Sequence, residues 1–369
     1  MTVPFLDLKK QYLSLKPALD KAWEDVVSQS AFIKGKYVSG FEKSFATEIN
    51  AKHCVSVANG TDAIYIILKM LGIGQGDEVI TVANTWISSA ETISQTGAKP
   101  VFTDIEQDYY CIDTEKIKDK ITTKTKAIIA VHLYGQAANI SSLQEICKKK
   151  NLFLIEDCAQ SHLTKYNNQF VGTFGVASTF SFYPGKNLGA YGDAGAIITN
   201  DDELAKKTRM YANHGSLVKH QHEIEGINSR LDGLQAAILS VKLPHLQNWN
   251  DKRRENTALY NQLLSSIKEI VCPAERKNTN HTYHLYVIRA KKRDALKEYL
   301  LKKGIETQIH YPKPLPFVKA YAYLNLPENE CPVAAAYMHE ILSLPMYPEL
   351  EKEEIEYVAN AIKSFYTEA

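Results

Sequence analysis

The residues best suited to chemistry lie in one run, Ser178-Thr-Phe-Ser-Phe-Tyr-Pro-Gly-Lys-Asn-Leu-Gly-Ala-Tyr-Gly-Asp-Ala-Gly195. Its β-branched and aromatic start reads as a strand ending at Ser181. Pro184-Gly185 then turns the chain, and a single lysine, Lys186, stands in the loop. Most loop lysines are simply solvated. A lysine partly desolvated by Phe182 and Tyr183 gives up its proton more readily and can form a Schiff base with a carbonyl. The glycines that follow, Gly189, Gly192 and Gly195, read as room for a bulky ligand.

Other reactive types sit where other apolar runs end. In Val57-Ala-Asn-Gly-Thr-Asp-Ala63 a strand turns into a helix, so the N–H groups of Gly60 and Thr61 face outward at a helix N-terminus, where an anion is favoured. An ordinary N-cap turn has the same pattern. Trp86, two residues past Asn84, either packs or lies over a flat ring. The strand Phe153-Leu-Ile runs straight into Glu156-Asp157, with Gln160 three residues later. That carboxylate can hold a positive ring nitrogen, and the amide can reach a ring substituent. Gly226-Ile-Asn-Ser-Arg-Leu-Asp232 follows a loop carrying Lys219, His220 and His222, and Asn228 reads as a helix N-cap. There is no Walker lysine and no GxGxxG, so neither an ATP nor a dinucleotide fingerprint is present.

Positioning these groups takes a sheet. Short apolar runs at His53–Val57, Glu78–Val82, Pro100–Phe102, Ala127–Leu133 and Leu152–Ile155 read as buried strands, with helical patterns at 61–71, 86–96 and 141–150 between them. That alternation predicts an α/β unit with a mostly parallel sheet covered on both faces, whose ligands bind beyond the carboxyl ends of the strands. An extended N-terminal arm and helices at about 14–29 and 39–50 precede it, the second capped by Ser39 with Glu42 as its capping-box partner. The pattern changes near Pro244. Residues 228–242 and 245–268 read as long helices, with Arg253, Arg254 and Glu255 on polar positions. Strands at Tyr283–Arg289 and Thr307–His310 and helices at 292–303, 334–342 and 351–365 then form a smaller α+β unit. The expected division is 1–244 and 245–369.

The totals exclude several classes. With 43 basic and 42 acidic residues among 369, the net charge of +1 offers nothing to nucleic acid or an anionic membrane surface. No apolar run reaches the length of a membrane span, and the first ten residues lack signal-peptide order. Cys54, Cys111, Cys147, Cys158, Cys272 and Cys331 contain no CxxC pair, so no zinc site is expected and the cysteines read as reduced. These features suit a cytoplasmic protein.

Taken in order, these junctions supply what pyridoxal 5′-phosphate needs: an anion cradle, a ring stacker, an acid for the pyridine nitrogen, a hydroxyl partner and a lysine. From Val3-Pro-Phe-Leu-Asp7 through Asn59-Gly60-Thr61, Glu156-Asp157-Cys-Ala-Gln160 and Phe180-Ser-Phe-Tyr-Pro-Gly-Lys186 to His310-Tyr-Pro312, the chain resembles the DegT/DnrJ/EryC1/StrS sugar-nucleotide aminotransferases. The resemblance implies the aspartate-aminotransferase (type I) fold. It makes Lys186 the Schiff-base lysine, Asp157 the partner of the pyridine nitrogen, Gln160 a contact of the ring oxygen and Trp86 the stacker. Gly60, Thr61 and Ser181 would hold the phosphate, joined by Asn228 from a second subunit of a homodimer with shared active sites. Tyr183, Lys219, His310 and Tyr311 would touch the sugar or its diphosphate, and Ala190–Asp193 would help choose the sugar. The amino donor implied is L-glutamate, and the loop sequence resembles enzymes that aminate C3 of a dTDP-3-keto-6-deoxyhexose. Amination at C4, a dehydratase on the same fold and a regulatory protein without turnover are the alternatives. Lys186 argues against the dehydratase, whose relatives carry histidine there. Pro316 stands where many relatives have histidine, which puts any sugar contact at that point in doubt.

Overall fold

The computed structural model describes residues 1–327 and 329–367. Its main sheet contains β1 (His53–Val57), β2 (Glu78–Val82), β3 (Lys99–Thr103), β4 (Thr125–Val131) and β5 (Phe153–Asp157). A short hairpin, β6 (Lys165–Tyr166) and β7 (Gln169–Phe170), is followed by β8 (Ala177–Ser181) and β9 (Gly195–Thr199). The seven-stranded order is β1-β9-β8-β5-β4-β2-β3. β9 runs antiparallel to both neighbours, and every other pair is parallel. Parallel strands must be covered on both faces, which is why their sequences are continuous apolar runs rather than alternating ones. β9, Gly-Ala-Ile-Ile-Thr, is fully buried and lies outside the strands expected from the sequence.

The smaller part contains β10 (Ile270–Val271), β11 (Thr279–Asn280), β12 (Tyr286–Ala290) and β13 (Ile341–Leu344). β10, β12 and β13 form one sheet, and β11 joins the β6–β7 hairpin. The large apolar cluster surrounds the main sheet, and a second gathers Tyr260, Tyr286, Leu300, Tyr347 and Ile362. The N-terminal arm, expected with the large unit, buries Val3 in that second cluster, where its backbone pairs with Gly304 and Glu306.

Several element expectations change. The first helix spans Leu8–Ser28 and is capped by Asp7, whose carboxylate accepts from the N–H groups of Lys9 and Lys10. The second spans Gly35–Glu48, so Ser39 lies inside it and caps nothing. Glu42 accepts instead from Ser56 and from Arg209, a tertiary role that no local pattern displays. Asn228 caps no helix, because the next one begins at Gly233. Thr307–His310 makes only an isolated bridge, from Gln308 to Ser343. The helix expected over 334–342 ends at Tyr337, and Ile341–Leu344 pairs with β12. A short run such as Ile-Leu-Ser-Leu suits helix or strand equally, and the neighbouring strand decides.

Candidate active site

A cavity of about 580 Å³ opens beyond the carboxyl ends of the parallel strands. One wall comes from strand ends. Asn59, Gly60 and Thr61 follow β1, Thr85 and Trp86 follow β2, and Asp157, Ala159 and Gln160 end or follow β5. Ser181, Tyr183 and Lys186 end or follow β8. The opposite wall comes from the arm (Phe5, Leu6) and the smaller part (Arg253, His284, Leu285, His310, Tyr311, Met346).

Alternation along β5 separates its two acids. Asp157 faces the cavity, 6% exposed, accepting from Ser89 Oγ at 2.9 Å and from the Ala159 N–H at 3.1 Å. Burial raises its pKa, opposed by those two donors and by the Lys186 charge. Glu156 faces the other way and ties down the 172–175 loop, accepting from the N–H groups of Gly172, Phe174 and Gly175. His132 Nε2 lies 3.0 Å from it, and Cys158 is close to both. His132 Nδ1 accepts from the Ala138 N–H, so its Nε2 carries the proton and donates to Glu156. That trio reads as structural support rather than a metal centre.

Lys186 is placed as its loop sequence suggests, but not by the aromatic residues expected. Its pKa falls to about 8, chiefly by burial, with the Asp157 carboxylate opposing the shift. Phe182 is absent from the cavity; it packs edge-on against Phe41 and Phe45. Tyr183 lines the cavity but is 58% exposed. The glycines after Lys186 are close-packing devices rather than ligand room. A Cβ at Gly189 would sit 2.3 Å from the Pro184 carbonyl oxygen, and one at Gly195 would sit 2.4 Å from the Asn59 carbonyl carbon. β9 is thereby pressed against the Asn59–Gly60 turn. Of Ala190–Asp193, only Asp193 lines the cavity, and Gln235 accepts from the Tyr191 N–H.

At that turn a helix spans Gly60–Met70. Asn59 Oδ1 caps it at the Asp62 N–H, 2.8 Å, leaving the N–H groups of Gly60 and Thr61 toward the cavity. Thr61 Oγ1 contacts Ser88 Oγ at 2.7 Å. Gln160 accepts from the Tyr134 N–H through Oε1 and donates to the Tyr311 hydroxyl through Nε2. One amide N–H therefore remains for a ligand. Trp86 is tilted 46° to Tyr311, with centroids 5.9 Å apart. His310 stacks on Phe5, meets Ser343 Oγ through Nδ1 at 2.8 Å, and has its pKa lowered to about 4 by burial and by Lys186.

Asn228 and Lys219 are exposed and lie outside the cavity of their own chain. Pro316 sits in a short 3-10 turn and does not line it either. The sequence reading missed Arg253, His284 and Tyr134. The helical spacing puts Arg253 on a polar face, yet it is 3% exposed. Tyr134 accepts from Asn84 Nδ2 at 3.2 Å and donates to the His310 carbonyl, joining the two walls. His284 meets Asn187 Oδ1 through Nδ1 at 3.1 Å. No local pattern marks any of these three.

The model of the DegT/DnrJ/EryC1/StrS aminotransferase family matches residues 14–363. The chain belongs to that family. This aminotransferase is 48% identical to a "pleiotropic regulatory protein" of Geobacillus stearothermophilus, over 99% of both chains. It is 44% identical to the dTDP-3-amino-3,6-dideoxy-alpha-D-galactopyranose transaminase of Aneurinibacillus thermoaerophilus, over 98% of this chain and 99% of that one. The structure of S. venezuelae DesV in complex with a ketimine intermediate superposes with a TM-score of 0.97 at 40% identity, covering 99% of this chain and 98% of that one. The expected aminotransferase fold and family are borne out. The aminotransferase uses pyridoxal 5′-phosphate, and its residues fit that cofactor. A Cβ at Gly60 would meet Ser181 Cβ at 2.8 Å, so only glycine leaves the helix N-terminus open beside the Ser181 hydroxyl. A buried carboxylate and a weakly basic lysine face the same space.

Proposed function

We propose that this aminotransferase moves an amino group from L-glutamate to C3 of a dTDP-3-keto-6-deoxyhexose. The observation that carries the chemistry is the pairing of Lys186 and Asp157 in one cavity, beside the anion cradle made by Gly60, Thr61 and Ser181. The C3 preference is supported by the loop after Lys186 and by the name of the Aneurinibacillus relative.

When bound, pyridoxal phosphate supplies an aldehyde carbon that exchanges the amino group and a ring that accepts the electron pair left when Cα loses its proton. Asp157 would keep the proton on the pyridine nitrogen, which makes the ring a better electron acceptor. The Gly60 and Thr61 N–H groups and the Ser181 hydroxyl would hold its phosphate, and Trp86 would cover its ring. Gln160 would hydrogen-bond the ring oxygen through its remaining amide N–H. Lys186 Nζ, with its pKa near 8, would take the proton from the donor Cα and carry it across the face of the cofactor as general acid–base. Tyr183, His310 and Tyr311 face the sugar.

The working form is a homodimer in the cytoplasm, with Asn228 and Lys219 reaching the site of a second subunit. Their exposure outside their own cavity supports this reading. Among the described residues, no helix is long and apolar enough to cross a membrane. The test is a screen of 3-keto and 4-keto nucleotide sugars with glutamate, identifying the carbon that gains nitrogen. Nitrogen at C4 would overturn the C3 assignment. The regulatory name of the Geobacillus relative favours a second reading, a protein without turnover; glutamate-dependent amination by the purified protein would exclude it.

A further inference from the structure

Arg253 lies on the helix Leu246–Leu264, 3% exposed, on the cavity wall opposite the strand ends. Nη1 donates to three backbone carbonyls, those of Tyr283 at 3.1 Å, His284 at 3.3 Å and Met346 at 2.9 Å. Nε is buried with no partner, and no described residue accepts from Nη2. Glu349 is near enough to feel its charge but forms no ion pair with it. The next residue, Arg254, behaves differently. It is partly exposed and pairs with Glu275 at 2.8 Å.

A buried cation without a counter-ion is costly, so such a group ordinarily has a partner. Nε and Nη2 share one edge of the guanidinium, and that edge matches the two oxygens of a carboxylate. Nη1, fixed by three carbonyls, holds the edge in place. His284 adjoins the same spot. Its Nδ1 meets the Asn187 carbonyl oxygen, since the Asn187 amide donates to Asn250 and Thr282, so His284 donates there and keeps Nε2 unprotonated. Lys186, Arg253 and His284 line the same cavity.

We infer that the Nε–Nη2 edge of Arg253 receives a carboxylate of the amino donor. This rests on the reading of glutamate as donor and adds the residue that selects it. A nucleotide-linked sugar suits the open rim of the cavity, where Trp86 and Tyr183 are 59% and 58% exposed. A small planar anion suits an edge that is almost wholly enclosed. Donors without a carboxylate then leave Arg253 buried and unpaired, and are rejected.

The holoenzyme is titrated with glutarate, a dicarboxylate that lacks the amine, and separately with thymidine diphosphate. Binding is read by calorimetry and melting by fluorescence. Arg253→Gln is expected to weaken glutarate by about 100-fold, the scale of hydrogen bonds to a charged partner, and to leave thymidine diphosphate unchanged. Arg253→Lys keeps the charge and a donor for the carbonyls but loses the paired edge. It is expected to melt like the wild type and still bind glutarate roughly tenfold more weakly. If Arg253→Gln does not fold, Arg253→Lys decides alone. Wild-type glutarate affinity in a folded variant overturns the proposal. So does equal weakening of both ligands, which marks a purely structural arginine, or loss of thymidine diphosphate alone. A wild-type holoenzyme that neither binds glutarate nor is converted by glutamate sinks the donor reading itself, a result distinct from failure of Arg253 alone.

Discussion

The two walls of the cavity are built on different principles. The strand-end wall takes Gly60, Asp157, Ser181 and Lys186 from turns that end β1, β5 and β8, so each group sits beside a local pattern that announces it. The opposite wall takes Arg253 from mid-helix, His284 from just before β12 and His310 from a segment that forms no regular strand. The first wall is set by strands held at fixed spacing in one sheet. The second is assembled by hydrogen bonds across long sequence separations, such as Tyr134 to the His310 carbonyl and Arg253 to the Met346 carbonyl. Chemistry is expected to concentrate on the first wall, and selection of the donor on the second.

The largest effect that tests this contrast is Lys186→Ala. Steady-state amination with glutamate should fall by about 10⁴-fold or more, since both covalent capture and proton transfer are lost. Near-normal turnover would end the assignment of chemistry to this wall. Asp157→Asn should slow the glutamate half-reaction by roughly 10²- to 10³-fold while the fold persists, measured in single-turnover mixing.

The same pair yields a pH test. Lys186 has its pKa lowered to about 8, so its amine is free and nucleophilic above that pH and protonated below it. The rate at which apoprotein takes up pyridoxal phosphate should therefore rise with pH and reach half its limit near pH 8. Because the Asp157 carboxylate opposes the lowering, Asp157→Asn should move that midpoint to lower pH. A midpoint that stays put would separate the two groups.

Gly195→Ala would press a Cβ into the Asn59 backbone and disturb the cradle from behind. A loss of about 1–3 kcal/mol in stability is expected, with weaker cofactor retention on gel filtration. Trp86→Phe, at the exposed rim, should cost least, about 1 kcal/mol of cofactor affinity by fluorescence titration. The second wall answers to acid. Burial lowers the His310 pKa from 6.5 to about 4, so unfolding takes up a proton in that window. The stability it supports is complete above pH 6.5 and is lost as pH falls toward 4, by up to about 1.4 kcal/mol per pH unit. Urea midpoints that do not fall over that range would show His310 to be solvated.

What the sequence by itself determined is the wall where composition changes abruptly. Five polar residues within seven after the apolar β5 run, a lone lysine after a Pro-Gly turn, and Asn-Gly-Thr opening an apolar-periodic helix are each readable within a dozen positions. They point to a parallel sheet, to the family and to pyridoxal phosphate. The same local reading failed wherever a residue's partner is distant. Ser39 and Glu42 look like a capping box, but Glu42 is held by Ser56 and Arg209. Gly189 and Gly195 look like space for a ligand, but the Pro184 and Asn59 backbones fill that space. Arg253 and Arg254 are indistinguishable in sequence, yet one is buried facing the cavity and the other pairs at the surface. Only the tertiary structure decided these, because burial and the identity of a hydrogen-bond partner are properties of packing between elements. A periodic pattern sets which face of a helix is apolar, but it says nothing of what the opposite wall brings to meet it.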